Sequence, residues 1–342
     1  MVKNISLLLT FLCLFISFSC KQNQEIEFNA DKTFPDATNL MELEETEFLA
    51  TLESEVNKDK NAIYAASLLF AWNEIKNAIG QPIISFENPE LERMNESSSY
   101  INVLAKDEYI TRVEIDLPQI TAEAYFRKSL PFMEPFHKYE VSFLFKNDNV
   151  ESFGLFGANY NVALLKYYKN DNDFAIELIP QDEEHEILLI KTSFEQKFAL
   201  IDVIDAYRDK IQSWINNRTE KNSWKYYLSD EDQLKVPIIE FNIAHNYTNI
   251  EKSFFSTTEM PHQITKMFQQ TAFILNENGA EVESYAEIAE ECVEEIEEED
   301  LQKPKKLFFD SEFIILLKRR DNSYPYFAMY VANAELMKKM EK

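Results

Sequence analysis

The segment Ile274–Asp300, ILNENGAEVESYAEIAEECVEEIEEED, constrains the fold more than any other part of this sequence. It begins with apolar residues typical of a β-strand and passes through Gly279, one of four glycines in the chain. Eleven acidic residues follow within positions 281–300, with no lysine or arginine among them. Any structure of this segment must accommodate a dense row of like charges, so the spacing of its apolar residues decides which structures are allowed.

As a β-strand, this segment would separate its charges from its apolar residues, because successive side chains point to opposite faces. One face would carry only small or apolar residues: Ala280, Val282, Ser284, Ala286 and Ile288. The opposite face would carry Glu281, Glu283, Tyr285, Glu287 and Ala289. A register shifted by one residue would bury three glutamates, at a large cost in free energy.

The same segment also fits an α-helix, because apolar residues recur every three or four positions. These residues are Val282, Tyr285, Ala289, Cys292, Val293 and Ile296. Glutamates three and four positions apart would repel each other in that helix, with no lysine to relieve them. Strand, surface helix and disordered acidic loop therefore all remain open for this segment.

The overall charge excludes some classes of partner. The chain of 342 residues has a formal net charge of −26, while 45% of its residues are hydrophobic. Nucleic-acid backbones and anionic lipid surfaces would repel such a protein, so we expect neither as a partner. The long-range field favours basic partners, and it equally favours simple solubility.

The first residues are typical of an export signal. Ile5–Ser19 is nearly all apolar, follows Lys3 and ends beside Cys20. The sequence Ser17-Phe18-Ser19-Cys20 resembles a bacterial lipobox, which implies removal of residues 1–19 and lipidation of Cys20. We therefore expect a lipid-anchored tether over residues 20–45, and a protein of the bacterial cell envelope that faces the periplasm or the cell surface.

The cysteines do not predict an internal disulfide. Cys13 would leave with the signal and Cys20 would carry lipid, so Cys292 would remain alone. The glutamates around Cys292 disfavour a thiolate, which makes this residue a poor nucleophile.

The rest of the chain predicts an α+β domain over residues 46–342. Apolar spacing indicates helices over Thr46–Val56, Asn61–Ala78, which ends at Gly80, and Phe198–Ile215. Tyr109–Asp116, YITRVEID, alternates like a half-buried strand. Further strands are predicted within 135–190 and over Val236–Ile243, Met267–Leu275, Leu307–Lys318 and Pro325–Ala332. Turns rich in Asn and Asp are predicted at Lys146–Asn149, Lys169–Asp173 and Gln181–His185.

The search for catalytic chemistry indicates a protein that is not an enzyme. His137, His185, His245 and His262 are scattered without metal-ligand spacing, so we expect no metal and no cofactor. The four glycines form no phosphate-binding loop, and no GxSxG nucleophile elbow is present in the sequence.

Six segments, taken in chain order, resemble the serpin family. They are KNAIYAASLLFAWNEIKNAIG (60–80), AYFRKSLPFMEPF (124–136), VPIIEFNIAHNYTNI (236–250), MFQQTAFILNENGAEVESYAEI (267–288), FFDSEFIILLKRRD (308–321) and YFAMYVANAE (326–335). Glu277, Gly279 and Glu281 match the family's hinge, and Phe309 and Phe313 match the strand after its reactive loop.

The resemblance implies a large central β-sheet, additional antiparallel sheets, N-terminal helices and an exposed reactive-type loop. It also implies inhibition of a serine or cysteine protease by a bait loop, here 279–306, that inserts into the sheet after cleavage. The hinge would comprise Glu277, Gly279, Ala280, Glu281 and Val282, and the provisional bait bond would join Val293 to Glu294.

Three features depart from the inhibitory pattern of the family. Val282, Glu283 and Tyr285 are larger than usual after the hinge, and the acidic loop is longer. Gln81–Thr121 is shorter, which predicts loss of the helix that covers the sheet and exposure of outward glutamates to water. Gln269 replaces a histidine of the central sheet and keeps the capacity to form hydrogen bonds. The alternatives are a non-inhibitory binding protein that docks a basic partner through the acidic loop, and a purely structural lipoprotein.

Overall fold

The structure is a computed structural model that describes residues 28–29, 32–116, 119–285 and 304–340. Three α-helices lie in this part of the chain: α1 (Ser67–Ile79), α2 (Pro89–Glu96) and α3 (Leu200–Asn216). The strands in the same part are β1 (Thr38–Asn39), β2 (Thr46–Phe48), β3 (Val56–Asn57), β4 (Asn61–Ala65), β5 (Ile83–Phe86), β6 (Tyr109–Asp116), β7 (Gln119–Pro131), β8 (His137–Phe145), β9 (Asp148–Phe156), β10 (Ala163–Asn170), β11 (Asp173–Leu178), β12 (His185–Lys191), β13 (Lys197–Phe198), β14 (Gln233–Pro237), β15 (Ile239–Asn246), β16 (Phe254–Thr257), β17 (Pro261–Gln263), β18 (Phe268–Asn276), β19 (Gly279–Tyr285), β20 (Lys306–Phe308), β21 (Phe313–Arg319) and β22 (Phe327–Val331).

Two large sheets form the body of this α+β fold. The six-stranded sheet has the order β1-β15-β18-β19-β7-β6, and the seven-stranded sheet has the order β10-β11-β12-β21-β22-β4-β2. Their inner faces pack through aromatic rings. Phe273 of β18 stacks on Phe327 of β22 at a centroid distance of 4.6 Å, and Phe126 of β7 meets the edge of Tyr326 at 5.7 Å. The main hydrophobic core therefore lies between these sheets.

Smaller sheets complete the architecture. A four-stranded sheet has the order β20-β14-β9-β8, a three-stranded sheet joins β17, β16 and β5, and β13 pairs with β3. Helix α1 lies over β6 and β7, where Phe70 stacks on Tyr109 at 4.3 Å. Among the described residues, no helix combines the length and the apolar content needed to cross a bilayer.

The N-terminal region contains less helix than the sequence predicts. The helix predicted over Thr46–Val56 is wrong, because 46–48 pair with β4 as the short strand β2. The helix predicted over Asn61–Ala78 begins only at Ser67, since Asn61–Ala65 form β4, whose five residues are all buried. An unbroken apolar run does not distinguish a buried strand from a buried helix, which explains both errors. The predicted end at Gly80 is confirmed, with φ +65° in the left-handed region.

Most of the remaining predictions agree with the structure. Tyr109–Asp116 is β6, the helix predicted over 198–215 is α3, and the three predicted turns join successive antiparallel strands. The strand predicted over Val236–Ile243 is wrong as a single element. It divides at Ile238 into the ends of β14 and β15, which belong to different sheets. Pro237 has no N–H to extend the first ladder, which favours the break at this point.

The domain starts earlier than the predicted boundary at residue 46. Phe34 is buried, and Thr38 and Asn39 pair in parallel with Ile243 and Ala244 of β15. The Asn242 amide also donates to the Pro35 carbonyl at 2.9 Å. The tether predicted over residues 20–45 is therefore too long at its C-terminal end, because apolar and backbone contacts hold residues 34–45 on the domain.

We predict that Phe273→Ala lowers the free energy of unfolding by about 3–5 kcal/mol, because it removes a ring from the interface between the two large sheets. Chemical denaturation measures this change. Phe156→Ala is the matched control, since Phe156 is 72% exposed and its loss should cost less than about 1 kcal/mol. Equal effects of the two substitutions would contradict the placement of the core.

Candidate functional site

The sequence segment that follows Gly279 lies inside the six-stranded sheet. β19 pairs antiparallel with β18 from Asn276↔Gly279 to Gln270↔Tyr285. Its other edge pairs antiparallel with β7, from Gly279↔Pro131 to Ser284↔Phe126. Of the three structures compatible with the sequence, the central strand is the one adopted through Tyr285.

The predicted hinge residues form the turn and the first half of β19. Glu277 and Asn278 make the turn, where the Asn278 N–H donates to the Asn276 side chain at 2.9 Å. The Glu277 and Asn278 carbonyls accept from the N–H groups of Phe136 and Phe132, each at 2.9 Å. A Cβ at Gly279 would lie 2.5 Å from the Leu130 carbonyl oxygen. Only glycine therefore allows β19 to start this close to β7.

The inner face of β19 packs into the core. Ala280, Val282 and Ser284 are 2%, 0% and 0% exposed, which confirms the alternation predicted for these positions. Their burial means that β19 inserts with its apolar set inward, and the register is the one that avoids burying glutamates in the core.

A buried hydrogen-bond chain ends on the inner face of β19. The Tyr247 hydroxyl donates to Gln269 Oε1, and Gln269 Nε2 donates to Thr271 Oγ1 at 3.1 Å. Thr271 Oγ1 lies 2.9 Å from Ser284 Oγ. All four side chains are buried, so the chain satisfies polar groups that would otherwise be costly. Gln269 thus forms the hydrogen bonds expected of it.

The outer face of β19 carries its two glutamates, and they do not meet open water. Glu281 forms an ion pair with Arg127 of β7. Glu283 is fully buried, and its carboxylate accepts from the Tyr125 hydroxyl at 2.8 Å and from the Asn29 N–H at 3.1 Å. The expectation that these glutamates face water is wrong, because another part of the chain covers them.

The cover is the N-terminal strap, defined here as residues 28–29 and 32–37. Phe34 is 4% exposed and lies under the Arg127 guanidinium, whose carbon is 5.6 Å from the ring centroid. Arg127 also donates to Thr33 Oγ1 at 3.2 Å. The Asn29 side chain exchanges two hydrogen bonds with the Phe34 backbone, at 3.1 and 3.2 Å. Sequence reasoning missed this contact because the strap is remote in sequence from β19 and carries no helical pattern.

A second polar cluster connects β7 to the seven-stranded sheet. Glu108 Oε1 accepts from Lys128 and lies 2.8 Å from His185 Nε2, while Oε2 accepts from Arg319 Nη1 at 2.9 Å and from the Ala105 N–H at 2.7 Å. Burial opposes ionisation of Glu108, but the hydrogen bonds from Lys128 and Ala105 prevail and lower its pKa to about 2. Burial and the Lys128 charge lower the pKa of His185.

This cluster brings together Glu108, Glu184 and His185, three potential metal ligands. However, both oxygens of Glu108 already have two partners each, two of them cations. The cluster is therefore built as an ion-pair bridge between Lys128, next to β19, and Arg319 of β21.

The chain that leads into β20 is anchored by a buried lysine. Lys305 is 2% exposed, and its ammonium lies 2.8 Å from Asp232 Oδ2 and 3.0 Å from the Tyr227 carbonyl. The Lys305 N–H donates to Asp232 Oδ1 at 2.8 Å. The ammonium also lies over three aromatic rings, at centroid distances of 5.4–5.9 Å, from Tyr168, Trp224 and Tyr227. This contact fixes the C-terminal flank of the acidic segment, as β18 fixes its N-terminal flank.

Several predicted residues lie outside the described part of the chain. These are Cys20, Ala286, Ile288, Cys292, Val293 and Glu294. Lipidation at Cys20 and a bait bond at Val293–Glu294 therefore stay predictions.

Comparison with known proteins found similarity to solved structures only. No family model matches the chain, and no curated protein matches it. The chain is similar to two structures of cleaved serpin 42Da, at 11% and 13% identity and TM-scores of 0.38 and 0.39. These matches cover 66% and 65% of this chain and 57% of each serpin chain, so the chain spans little more than half of their length. It is also similar to a loop-inserted, cleaved ovalbumin mutant, at 12% identity and a TM-score of 0.39, over 84% of this chain and 76% of ovalbumin.

We predict that Lys305→Met destabilises the protein by about 3–5 kcal/mol, because it leaves the buried Asp232 carboxylate without its cation. Urea denaturation measures the loss. Lys306→Met is the matched control, because the adjacent Lys306 is exposed and its substitution should change stability by less than about 0.5 kcal/mol. A Lys305→Met protein as stable as the control would show that the pair does not anchor this flank.

We also predict that the protein loses stability as the pH falls from 6.5 to 4. His245 stacks on Phe48 and contacts Tyr247 of the buried hydrogen-bond chain, and burial lowers its pKa to about 4. With its folded pKa below its unfolded value, the folded state binds fewer protons in this window, so acid favours unfolding. His245→Phe should remove about 2 kcal/mol of this pH dependence, measured as urea midpoints between pH 7 and 4.

Part of the acid sensitivity should survive in His245→Phe, because the pKa of His185 is lowered as well. The matched control is His137→Phe, since His137 lies exposed on β8. An identical pH profile in His245→Phe and the unsubstituted protein would rule out this role for His245.

Proposed function

We propose that this protein is a non-enzymatic, serpin-like peptidase inhibitor that offers the segment between β19 and β20 to a serine or cysteine peptidase. In this proposal Glu277–Val282 act as the hinge, residues 279–306 act as the bait loop, and Val293–Glu294 is the provisional bait bond. The observation that carries the proposal is the position of β19 as a central strand that the sheet could release.

The pairing of β19 would allow the sheet to keep a continuous hydrogen-bonded ladder both with this strand and without it. β18 and β7 are both antiparallel to β19, so they are parallel to each other. If β19 leaves, their edges can meet directly, because parallel neighbours form a regular ladder. The sheet would then lose one strand without exposing a permanent pair of open edges.

Only a short turn must change when β19 moves. β18 and β19 are joined by Glu277 and Asn278, whereas β7, on the other side of β19, belongs to a distant part of the chain. A two-residue connection with a glycine at its end is compatible with both the hairpin and an extended passage out of the sheet. These properties support strand insertion as the working step of the inhibitor.

An uncut chain can hold β19 in the sheet. From Gly279 to Tyr285 the strand advances about 20 Å, at about 3.3 Å per residue. The 21 residue steps from Tyr285 to Lys306 can span up to about 70 Å. The chain can therefore return to β20 without being cleaved, so the described state is the inserted form of the uncut protein. In this proposal β19 must first leave the sheet, so that its return after cleavage can trap the peptidase.

The chemistry of the proposed bait restricts the peptidase. Residues 281–300 contain no lysine or arginine, and Lys303 precedes Pro304. A trypsin-like peptidase would find no suitable bond between those acids. The partner in this proposal accepts acidic residues around an aliphatic residue, and a basic substrate groove would favour such a segment.

The export signal and lipobox-like sequence predicted in residues 1–20 support a proposal about the location of the protein. We extend the proposal to a bacterial lipoprotein that is anchored in the cell envelope through Cys20 and faces the periplasm or the cell surface. Contact with the membrane would then be made through lipid alone, because the charge of −26 repels anionic headgroups.

The second candidate is a non-inhibitory protein that binds a basic partner. Eleven acids in twenty residues, without a neutralising base, favour this function. Binding of that kind would weaken steeply with salt and would not require β19 to leave the sheet.

A reversible lock on β19 tests the first candidate against the second. The test uses the double substitution Thr271→Cys/Ser284→Cys in a background without the three native cysteines. Thr271 and Ser284 are direct ladder partners, and their hydroxyl oxygens lie 2.9 Å apart. This geometry suits a disulfide. We predict that the reduced protein forms an SDS-stable complex with a peptidase that cleaves between 285 and 306, and that the oxidised protein does not.

Thr271→Cys alone, treated with the same oxidant, is the control and should behave like the reduced protein. Complex formation that is equal in the oxidised and reduced forms would eliminate release of β19 from the mechanism. Absence of any SDS-stable complex, together with salt-sensitive binding of a basic protein to both forms, would replace the inhibitor with the docking candidate.

A further inference from the structure

The N-terminal strap contacts strands on both sides of β19 in the six-stranded sheet. Pro35 is held by Asn242 of β15, and Thr38–Asn39 continue as β1 beside the same strand. Thr33 and Phe34, which directly precede Pro35, contact the Arg127 side chain of β7. Between β15 and β7 lie β18 and β19. The strap thus contacts both sides of the inserted strand.

The separation of β15 from β7 depends on whether β19 is present. Neighbouring strands lie about 4.8 Å apart, so β15 and β7 are about 14 Å apart with β18 and β19 between them. Without β19 the same two strands would lie about 10 Å apart. The Asn242 and Arg127 side chains that hold neighbouring residues of the strap come from β15 and β7, so their relative positions change when β19 leaves.

The strap also contacts β19 itself. Both oxygens of Glu283 accept from the Asn29 N–H at 3.1 Å, and Glu281 holds the Arg127 guanidinium that covers Phe34. These contacts disappear when β19 leaves the sheet. The contacts of Pro35 and Thr38–Asn39 involve only β15 and can remain.

We propose that the N-terminal strap binds the inserted state selectively, so that docking of residues 28–29 and 32–34 and insertion of β19 are thermodynamically linked. A segment that binds one of two states stabilises that state, and the effect is reciprocal. The strap retains β19 in the sheet, and departure of β19 releases residues 28–29 and 32–34 while Pro35–Asn39 stay on β15.

The linkage gives the lipid tether a regulatory role. Asn29 follows Cys20, the predicted lipid attachment site, by nine residues. Tension on that short connection would pull the strap away from Glu283 and favour release of β19. This regulatory meaning rests on the proposed function, whereas the linkage itself is a property of the fold.

Hydrogen exchange on the full chain tests the linkage with Phe34→Ala. Loss of the ring weakens strap docking and should therefore accelerate exchange of the β19 amides, residues 279–285, by about tenfold. Exchange of the β21 amides, Phe313–Arg319, should stay unchanged because the seven-stranded sheet does not open in this step. Phe156→Ala, which removes an exposed ring from β9, is the matched control and should leave β19 exchange as it is.

The disulfide lock provides the second arm. In oxidised Thr271→Cys/Ser284→Cys, β19 is held from the inner face, so adding Phe34→Ala should accelerate exchange in the strap but no longer in β19. Acceleration confined to the strap in the unlocked protein, or equal acceleration of β19 and β21, would overturn the proposal. Neither hydrogen-exchange experiment contains a peptidase. A negative result here would therefore reject the linkage but not the inhibitory function, and absence of a peptidase complex would reject the inhibitory function but not the linkage.

Discussion

The double ladder of β19 is the interaction on which the rest of this structure depends. One edge pairs with β18 and the other with β7, so seven residues connect parts of the chain that are far apart in sequence. Buried backbone groups must find partners, and here both edges of β19 supply them. The hydrogen-bond chain to Ser284 and the docking of the strap both require β19 to be present.

The two faces of β19 differ in composition and in the contacts that their side chains need. The inner face is small and apolar, and ends in a hydroxyl that joins the chain from Tyr247. The outer face carries carboxylates, which are costly to bury unless they are hydrogen-bonded or paired. Arg127, Tyr125 and the Asn29 N–H meet that requirement. A strand of this composition can therefore be central in the sheet only while the outer face is covered.

Both flanks of the acidic segment are held firmly, although by different means. The N-terminal flank is a hairpin that starts at Gly279, where the close approach of Leu130 leaves no room for a Cβ. The C-terminal flank is the Lys305–Asp232 pair, enclosed by aromatic rings. The fold therefore fixes where the acidic segment leaves the six-stranded sheet and where it returns at β20.

The sequence by itself determined the α+β class, the alternation of Ala280, Val282 and Ser284, the turns rich in Asn and Asp, and the helix end at Gly80. Each of these follows from local spacing or backbone chemistry, which a single segment contains. The tertiary structure alone decided that Asn61–Ala65 is a strand, that Glu283 is buried, and that Pro35–Asn39 belong to the domain. Those outcomes depend on partners more than two hundred residues away, and neither periodicity nor charge within a segment specifies which distant strand will cover it.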